Sequence, residues 1–327
     1  MSETLAWGVL ATGKIAGTFA KAIAQSKTGR LAAVASRTQA QADAYAREWK
    51  IPKAYGSYES LLADPEIDVI YNSLPNHLHA EWTIKAAQAG KHVLCEKPLA
   101  LSVAEVDAIE AAARQAGVVV TEAFMYRHHP QALKARELVA TGAIGQLLVI
   151  RGVFTISLDR PQDIRLDPAK GGGCVWDLGC YPVSYARYLA DAEPLEVFGW
   201  QVIGASGVDE VFSGQLRFPG EVLAQFQASF RLPYNAVMEL AGTKGALRVP
   251  TPFLESQDVV LQLVHGDHSE IIPTPGPDRY LLEVENLSAA ILEGQPPRIS
   301  LAHSRANVAT LVALLQSARE GRPVNLG

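Results

Sequence analysis

Apolar positions along roughly the first third of the chain recur with two alternating periods. Runs of strand character, Leu5 to Leu10, Leu31 to Ser36, Asp68 to Ser73, His92 to Cys95 and Val118 to Glu122, are separated by alanine-rich stretches. Those stretches, Lys14 to Ser26, Gln39 to Trp49, His77 to Ala89 and Ser102 to Ala116, carry the helical spacing. Strand and helix in alternation predict a parallel sheet covered by helices. Gly90 and Gly117 stand where helices should end before the next strand, and Ser102 with Glu105 forms a capping-box pattern.

After Phe124 the pattern changes. One helix near Gln131 to Ala140 leads into β-like stretches at Leu147 to Ser157, Leu195 to Ile203, Glu210 to Phe218, Val222 to Phe230, Val237 to Ala241, Ala246 to Val249 and Val259 to Val264. Phe218-Pro219-Gly220-Glu221 reads as a hairpin turn between two of them. Helices near Pro182 to Leu189, Tyr280 to Leu292 and His303 to Ala318 would cover one face of a large, mostly antiparallel sheet. The expected class is therefore α/β, with residues 1–124 as a parallel-sheet domain and 125–327 as a second, α+β domain with a large, mostly antiparallel open sheet.

A length of 327 residues, 48% apolar residues and a net charge of −5 suit a soluble protein with two cores. No apolar run reaches the roughly eighteen residues of a membrane span, and Met1-Ser2-Glu3-Thr4 lacks a basic stretch followed by an apolar one, so the expected location is cytoplasmic. Three widely spaced cysteines, Cys95, Cys174 and Cys180, offer neither a disulfide framework nor a metal knuckle. The histidine pairs His77/His79 and His128/His129 have no carboxylate or thiolate at useful spacing, so no metal is expected. Mild acidity without a basic cluster argues against nucleic acid or an anionic membrane and leaves a small molecule as the partner.

Ala11-Thr12-Gly13-Lys14-Ile15-Ala16 follows the first strand and opens the first helix, matching a dinucleotide fingerprint with alanine at its first and third glycine positions. Gly13 carries the requirement for close backbone approach to a pyrophosphate on the helix N-terminus. The second strand ends in Ser36-Arg37 instead of the acidic residue that would bind a ribose diol. A hydroxyl and a guanidinium there suit a 2′-phosphate, which predicts NADP over NAD.

Two further segments carry chemistry. Glu96-Lys97-Pro98 ends a buried-strand run and places an ammonium at the carboxyl edge of the sheet, where open α/β sheets bind ligands. Taken alone, Lys97 also fits an ordinary solvated lysine. Gly171-Gly172-Gly173-Cys174-Val175-Trp176-Asp177-Leu178-Gly179-Cys180-Tyr181-Pro182 sets Asp177 and Tyr181 four apart, on one face if the segment is helical. Pro182 opposes helical geometry at Tyr181 unless it lies in a first helical turn. A helix cap at Asp177 and a half-buried phenol at Tyr181 are the plainer alternatives.

Together with Asn76-His77-Leu78-His79 and Glu122-Ala123-Phe124-Met125-Tyr126-Arg127, these segments in this order resemble the glucose-fructose oxidoreductase/inositol dehydrogenase (Gfo/Idh/MocA) family over essentially the whole chain. The likeness is to its Tyr-type members, which include NADP-dependent aldose dehydrogenases and dimeric dihydrodiol dehydrogenase. The resemblance implies an N-terminal Rossmann domain, Lys97 and Tyr181 as catalytic residues, Asp177 as a ligand of substrate hydroxyls, and cofactor contacts from Asn76, His79, Glu96 and Arg165. Arg127, Phe154 and Tyr280 are weaker expectations for the substrate pocket.

The implied reaction is oxidation of a hydroxyl-bearing carbon, C1 of an aldose such as xylose or glucose, with NADP as acceptor. Free phenols ionise near pH 10, so Tyr181 needs a cation such as Lys97 to act as the base at neutral pH. The same residues serve an NADPH-dependent reductase of dicarbonyls, keto-sugars or anhydro-ketoses, and the superfamily also includes nucleotide-responsive regulators without turnover. A large sheet with one open face predicts a homodimer or a dimer of dimers.

Overall fold

The computed structural model describes residues 4–160, 162–253 and 259–327. Met1, Ser2 and Glu3, part of the N-terminal stretch read above, lie outside the described residues. The first strands are β1 (Leu5–Leu10), β2 (Gly29–Ala35), β3 (Lys53–Tyr55), β4 (Val69–Asn72), β5 (His92–Glu96) and β6 (Val120–Ala123). They pair in parallel in the order β3-β2-β1-β4-β5-β6. Helices α1 (Lys14–Ile23), α2 (Gln39–Trp49), α3 (Tyr58–Leu62), α4 (His79–Gln88) and α5 (Val103–Ala116) connect them. Strand β3 and helix α3, at three and five residues, are too short for a period to register and are absent from the sequence reading.

Every residue of β1 is buried, which explains its continuous apolar run in place of alternation. Ser102 caps α5 by accepting from the Glu105 amide at 3.3 Å, while the Glu105 carboxylate accepts from the Leu101 amide at 2.9 Å. Strand order reverses between β1 and β4. The carboxyl ends of these strands are where an open sheet of this topology leaves a ligand crevice.

The chain continues with α6 (Pro130–Ala140), β7 (Leu147–Ser157), α7 (Cys180–Ala190), β8 (Glu196–Ile203), β9 (Asp209–Arg217), β10 (Leu223–Ser229), β11 (Arg231–Gly242), β12 (Ala246–Pro250), β13 (Val260–His265) and β14 (His268–Pro273). Helices α8 (Arg279–Leu292) and α9 (Leu301–Glu320) and a two-residue strand β15 (Val324–Asn325) complete it. The second sheet has the order β14-β13-β12-β11-β7-β10-β9-β8-β15 and is antiparallel except where β10 meets β7. Phe212, Leu216, Ala224, Phe226, Met238 and Leu240 are buried on one face. Helix α7 packs on β7 and β10, and the Ser317 hydroxyl of α9 accepts from the Gly199 amide of β8. Ser213, Gln215, Arg217, Gln225 and Gln227 alternate with the buried set and are exposed. Among the described residues no helix is long and apolar enough to cross a membrane.

By internal contacts the chain forms two units, 1–128 with 278–305, and 129–277 with 306–327. A change of grammar near Phe124 suggests a single crossing, whereas the chain re-enters the first unit through α8. Val284, Leu287 and Ala290 of that helix share a core with Leu5, Trp7, Phe19, Ile23 and Val34. Val284 and Leu287, both fully buried, together contribute about 3–6 kcal/mol. Glu285 adds a polar clasp, accepting from the Ser26 hydroxyl at 2.7 Å, the Lys27 amide at 3.0 Å and the Thr28 hydroxyl at 2.8 Å. A helical period shows that α8 has an apolar face, but not which sheet that face meets.

Candidate active site

In the first unit, β1 passes to α1 through Ala11-Thr12-Gly13. Ala11 has φ +78, a left-handed conformation that glycine would take freely and that costs alanine about 1–2 kcal/mol. Its amide donates to the Ala35 carbonyl at 3.0 Å, so the turn keeps its shape without the first fingerprint glycine. Gly13 is the N-cap of α1, no side chain caps that helix, and no acidic residue occupies its first turn. A Cβ placed on Gly13 would meet nothing within 4 Å. Uncapped amides opening onto space, with Lys14 exposed beside them and Ile15 half-buried, fit the phosphates of a dinucleotide.

At the end of β2, Ser36 is buried; its amide donates to the Tyr55 carbonyl at 3.0 Å and its hydroxyl to Gln41 Oε1 at 3.1 Å. Arg37 is exposed, and its positive charge works against the upward push that burial exerts on the Tyr58 phenol. The guanidinium is therefore available to a phosphate, whereas the Ser36 hydroxyl already has a partner.

Three pins hold the turn that carries Lys97. The Glu96 carboxylate accepts from the Tyr71 hydroxyl at 2.5 Å and from the Lys97 amide at 3.3 Å. The Pro98 carbonyl lies 2.7 Å from Nδ1 of His79, whose Nε2 lies 2.6 Å from the Leu74 carbonyl. The Leu99 amide donates to Glu122 Oε1 at 2.9 Å. Tyr71, His79 and Glu122 are all buried, and Lys97 is half-buried. Burial pulls His79 down to about 4 despite the two carbonyls that favour its charged form. Both ring nitrogens of His79 thus face backbone, and its place is behind the Lys97 turn. Asn76 is half-buried in the single 3-10 turn Asn76–Leu78 that precedes α4.

Two residues expected to line a substrate pocket sit deeper in this unit. Arg127 is buried, with its guanidinium 3.1 Å from His303 Nε2. Tyr280 is buried at the start of α8, where the Asp278 carboxylate accepts from its amide at 2.9 Å.

In the second unit a π-helical turn, Val175–Gly179, runs directly into α7. It places Asp177 in the turn and puts Tyr181 and Pro182 in the first turn of α7, the one helical location where proline is tolerated. Arg165 Nε donates to Asp177 Oδ2 at 2.8 Å, and its Nη1 lies 3.2 Å from Asp163 Oδ1; these carboxylates hold the guanidinium firmly charged. Tyr181 is buried in an aromatic wall. Its ring meets Phe154 edge-on at 5.2 Å and Phe253 at 5.0 Å, and the half-buried Phe154 packs on Phe253 at 5.0 Å. Asp209 anchors the start of the turn: its Oδ2 accepts from the Val175 amide at 2.7 Å and from Cys174 Sγ at 3.2 Å.

The structure therefore brings Glu96, Lys97 and His79 together in one unit, and Asp177, Arg165, Tyr181 and Phe154 into two neighbouring sets in the other. Tyr71, Asp209 and Phe253 are given no role by the sequence, and Glu122 enters as the first residue of the Glu122-to-Arg127 motif, with no role of its own. A phenol and a carboxylate inside the otherwise buried runs Val69–Asn72 and Val120–Ala123 are the signal that points to Tyr71 and Glu122. Among the described residues no group of three or more His, Cys, Asp or Glu side chains is disposed to hold a metal ion.

Residues 5–124 match the model of an oxidoreductase family with an NAD-binding Rossmann fold, GFO/IDH/MocA, and residues 132–248 match the C-terminal domain of the same family. D-xylose 1-dehydrogenase (NADP(+)) 2 of Haloferax volcanii is 37% identical over 98% of this chain and 99% of its own length. The chain belongs to the GFO/IDH/MocA oxidoreductase family. Trans-1,2-dihydrobenzene-1,2-diol dehydrogenase of Xenopus tropicalis is 32% identical over 91% of this chain and 93% of its own. Among solved structures, the aldose-aldose oxidoreductase of Caulobacter crescentus complexed with glycerol superimposes with a TM-score of 0.93 at 28% identity, covering 99% of this chain and 100% of that one. A 3-ketoreductase variant from Actinomadura kijaniata in complex with TDP-benzene and NADP gives 0.92 at 27% identity over 96% and 98%. With relatives named as dehydrogenases and oxidoreductases of sugars or diols, the protein is an oxidoreductase built on a Rossmann-type sheet and a mostly antiparallel second sheet.

Proposed function

We propose that this protein is an NADP-dependent dehydrogenase of sugar hydroxyl carbons, with C1 of an aldose such as xylose or glucose as the reacting position. The observation that carries the reading is the Lys97 turn, pinned through Tyr71, His79 and Glu122 at the carboxyl edge of the sheet. The likeness to a D-xylose 1-dehydrogenase over nearly the whole chain points to the substrate class. Variants of the 3-ketoreductase were made at a lysine and a tyrosine separated by the same number of positions as Lys97 and Tyr181.

When bound, the nicotinamide would accept a hydride from the substrate carbon. The amides at Gly13, Lys14 and Ile15 would hold the pyrophosphate, and Arg37, with Ser36 beside it, the 2′-phosphate. Asn76 and Glu96 would orient the ribose end, with His79 acting through the turn it supports. In this reading Tyr181 Oη takes the hydroxyl proton, the Lys97 ammonium favours the phenolate and the developing alkoxide, and Asp177 fixes a neighbouring hydroxyl. Arg165 holds Asp177 in place, and Phe154 supplies an apolar wall to the sugar. Arg127 and Tyr280 are both buried and are assigned no direct contact with the sugar.

A positioned acid/base contributes about 10²–10⁴-fold, so Tyr181→Phe and Lys97→Ala should each lower kcat by that order while NADP binding persists. Absorbance of NADPH over D-xylose, D-glucose, other aldoses and dicarbonyls reads the activity, and full turnover in either variant refutes the assignment. Reduction of a keto-sugar is the second reading, favoured by the 3-ketoreductase among the structural relatives. For the exposed sheet face, which carries Trp200, Val202 and Leu223, we propose a second copy of this chain as partner. A monomer mass by light scattering at micromolar concentration would contradict that.

A further inference from the structure

Within the first unit, α8 carries a carboxylate that the proposed chemistry does not use. Glu283 is 1% exposed, and among the described residues neither of its oxygens has a hydrogen-bond partner. His128 Nε2 lies 4.0 Å from Oε1, itself buried and with Nδ1 unpartnered. Glu96, by contrast, accepts hydrogen bonds from the Tyr71 hydroxyl and the Lys97 amide. Two carboxylates that act on one another in a desolvated space cannot both stay ionised at modest cost. The one with donors keeps its charge, and the one without keeps a proton.

We propose that Glu283 is a positioning residue that retains its proton, directed toward neutral His128, and thereby spares Glu96 a second negative charge beside its bond to Tyr71. The inference rests on the assignment of Lys97 for its kinetic consequence, but not for its protonation state. Burial first, then the negative charges of Glu96 and Asp278, raise the Glu283 carboxyl well above its ordinary value. Burial, then Arg298 and Arg127, lower His128 to about 3, so the imidazole remains neutral. Burial and then Glu96 likewise keep the Tyr71 phenol protonated as a donor. Against α1 and β2 the helix presents apolar Val284 and Leu287, which meet Phe19, Ile23 and Val34. A second negative charge at Glu283 would repel Glu96 from Tyr71 and loosen the turn that presents Lys97.

Glu283→Gln tests this because it keeps shape and neutrality while removing the titration. The sign follows from linkage: a carboxyl raised in the folded state is neutral there at no cost in acid, and it costs stability progressively as pH rises above its unfolded value. The variant and the wild type should therefore melt together at pH 5, with the variant several degrees higher at pH 9. The infrared band of a protonated carboxyl should be present in the wild type at pH 7 and lost in the variant. The alkaline limb of kcat/KM should move at least one pH unit upward in the variant. Absence of the infrared band, or parallel melting curves at all pH values, overturns the proposal whatever the activity. An inactive wild type with the band and diverging curves would fault only the assignment of Lys97.

Discussion

Gly173 offers the sharpest test of how the second unit builds its reactive turn. Its φ is +125, and a Cβ there would lie 2.2 Å from Asp209 Oδ1. Asp209 cannot swing aside without cost, because it is buried and its other oxygen accepts from the Val175 amide at 2.7 Å. Gly173→Ala therefore adds backbone strain of about 1–3 kcal/mol and strands a buried hydrogen-bonding group for about 1–3 kcal/mol more. The combined loss, about 2–6 kcal/mol, corresponds to a fall in melting temperature of about 4–24 °C for a unit of this size. Gly220→Ala serves as the control: φ is +70 there but a Cβ would meet nothing within 4 Å, so only the left-handed penalty of about 1–2 kcal/mol applies. Calorimetry on both variants decides the matter. Equal shifts would show that Asp209 is not a wedge against Gly173 and would remove the explanation given for the placement of Asp177.

Arg37→Ala should cut the ratio of NADP to NAD catalytic efficiency at least tenfold, since the exposed guanidinium is the residue proposed to hold the 2′-phosphate; an unchanged ratio refutes that. His79 is held at about 4 by burial, so the folded state binds fewer protons than the unfolded one between that value and the ordinary 6.5. Its stabilisation is complete above pH 6.5 and is lost as pH falls toward 4, about 2–3 kcal/mol of it by pH 4.5. His79→Gln should melt with a visibly shallower acid dependence between pH 7 and 4.5, and an equally steep fall would show that His79 is already charged in the folded protein.

Much of the first unit is legible because its periods are clean. The bounds Gln39 and Trp49 of α2 coincide with the apolar spacing, and Gly117 closes α5 with φ +67. The Lys97 turn could be singled out from Glu-Lys-Pro at the end of a strand, but how it is supported could not: His79 reads as a cofactor contact, and the structure sets it behind the turn. Tyr71 and Glu122 are hidden in runs whose dominant signal is burial, and a contact between strand and loop has no period. Pro182 shows the reverse situation: the objection to a helix at Tyr181 is sound for a helix interior and lapses because the π-helical turn before it sets proline in the first turn of α7. Strand β14 is mostly exposed along its length, so it lacks the alternation by which strands are recognised.

The return of α8 to the first sheet also governs the order in which the protein can be made. Strands β1 to β6 leave the ribosome early, yet the face of Trp7 and Phe19 stays uncovered until Val284 and Leu287 follow, after the whole second sheet has been synthesised. A nascent chain spends most of its synthesis with that apolar face in need of shelter, and any premature stop before α8 releases a polypeptide whose first core lacks Val284, Leu287 and Ala290.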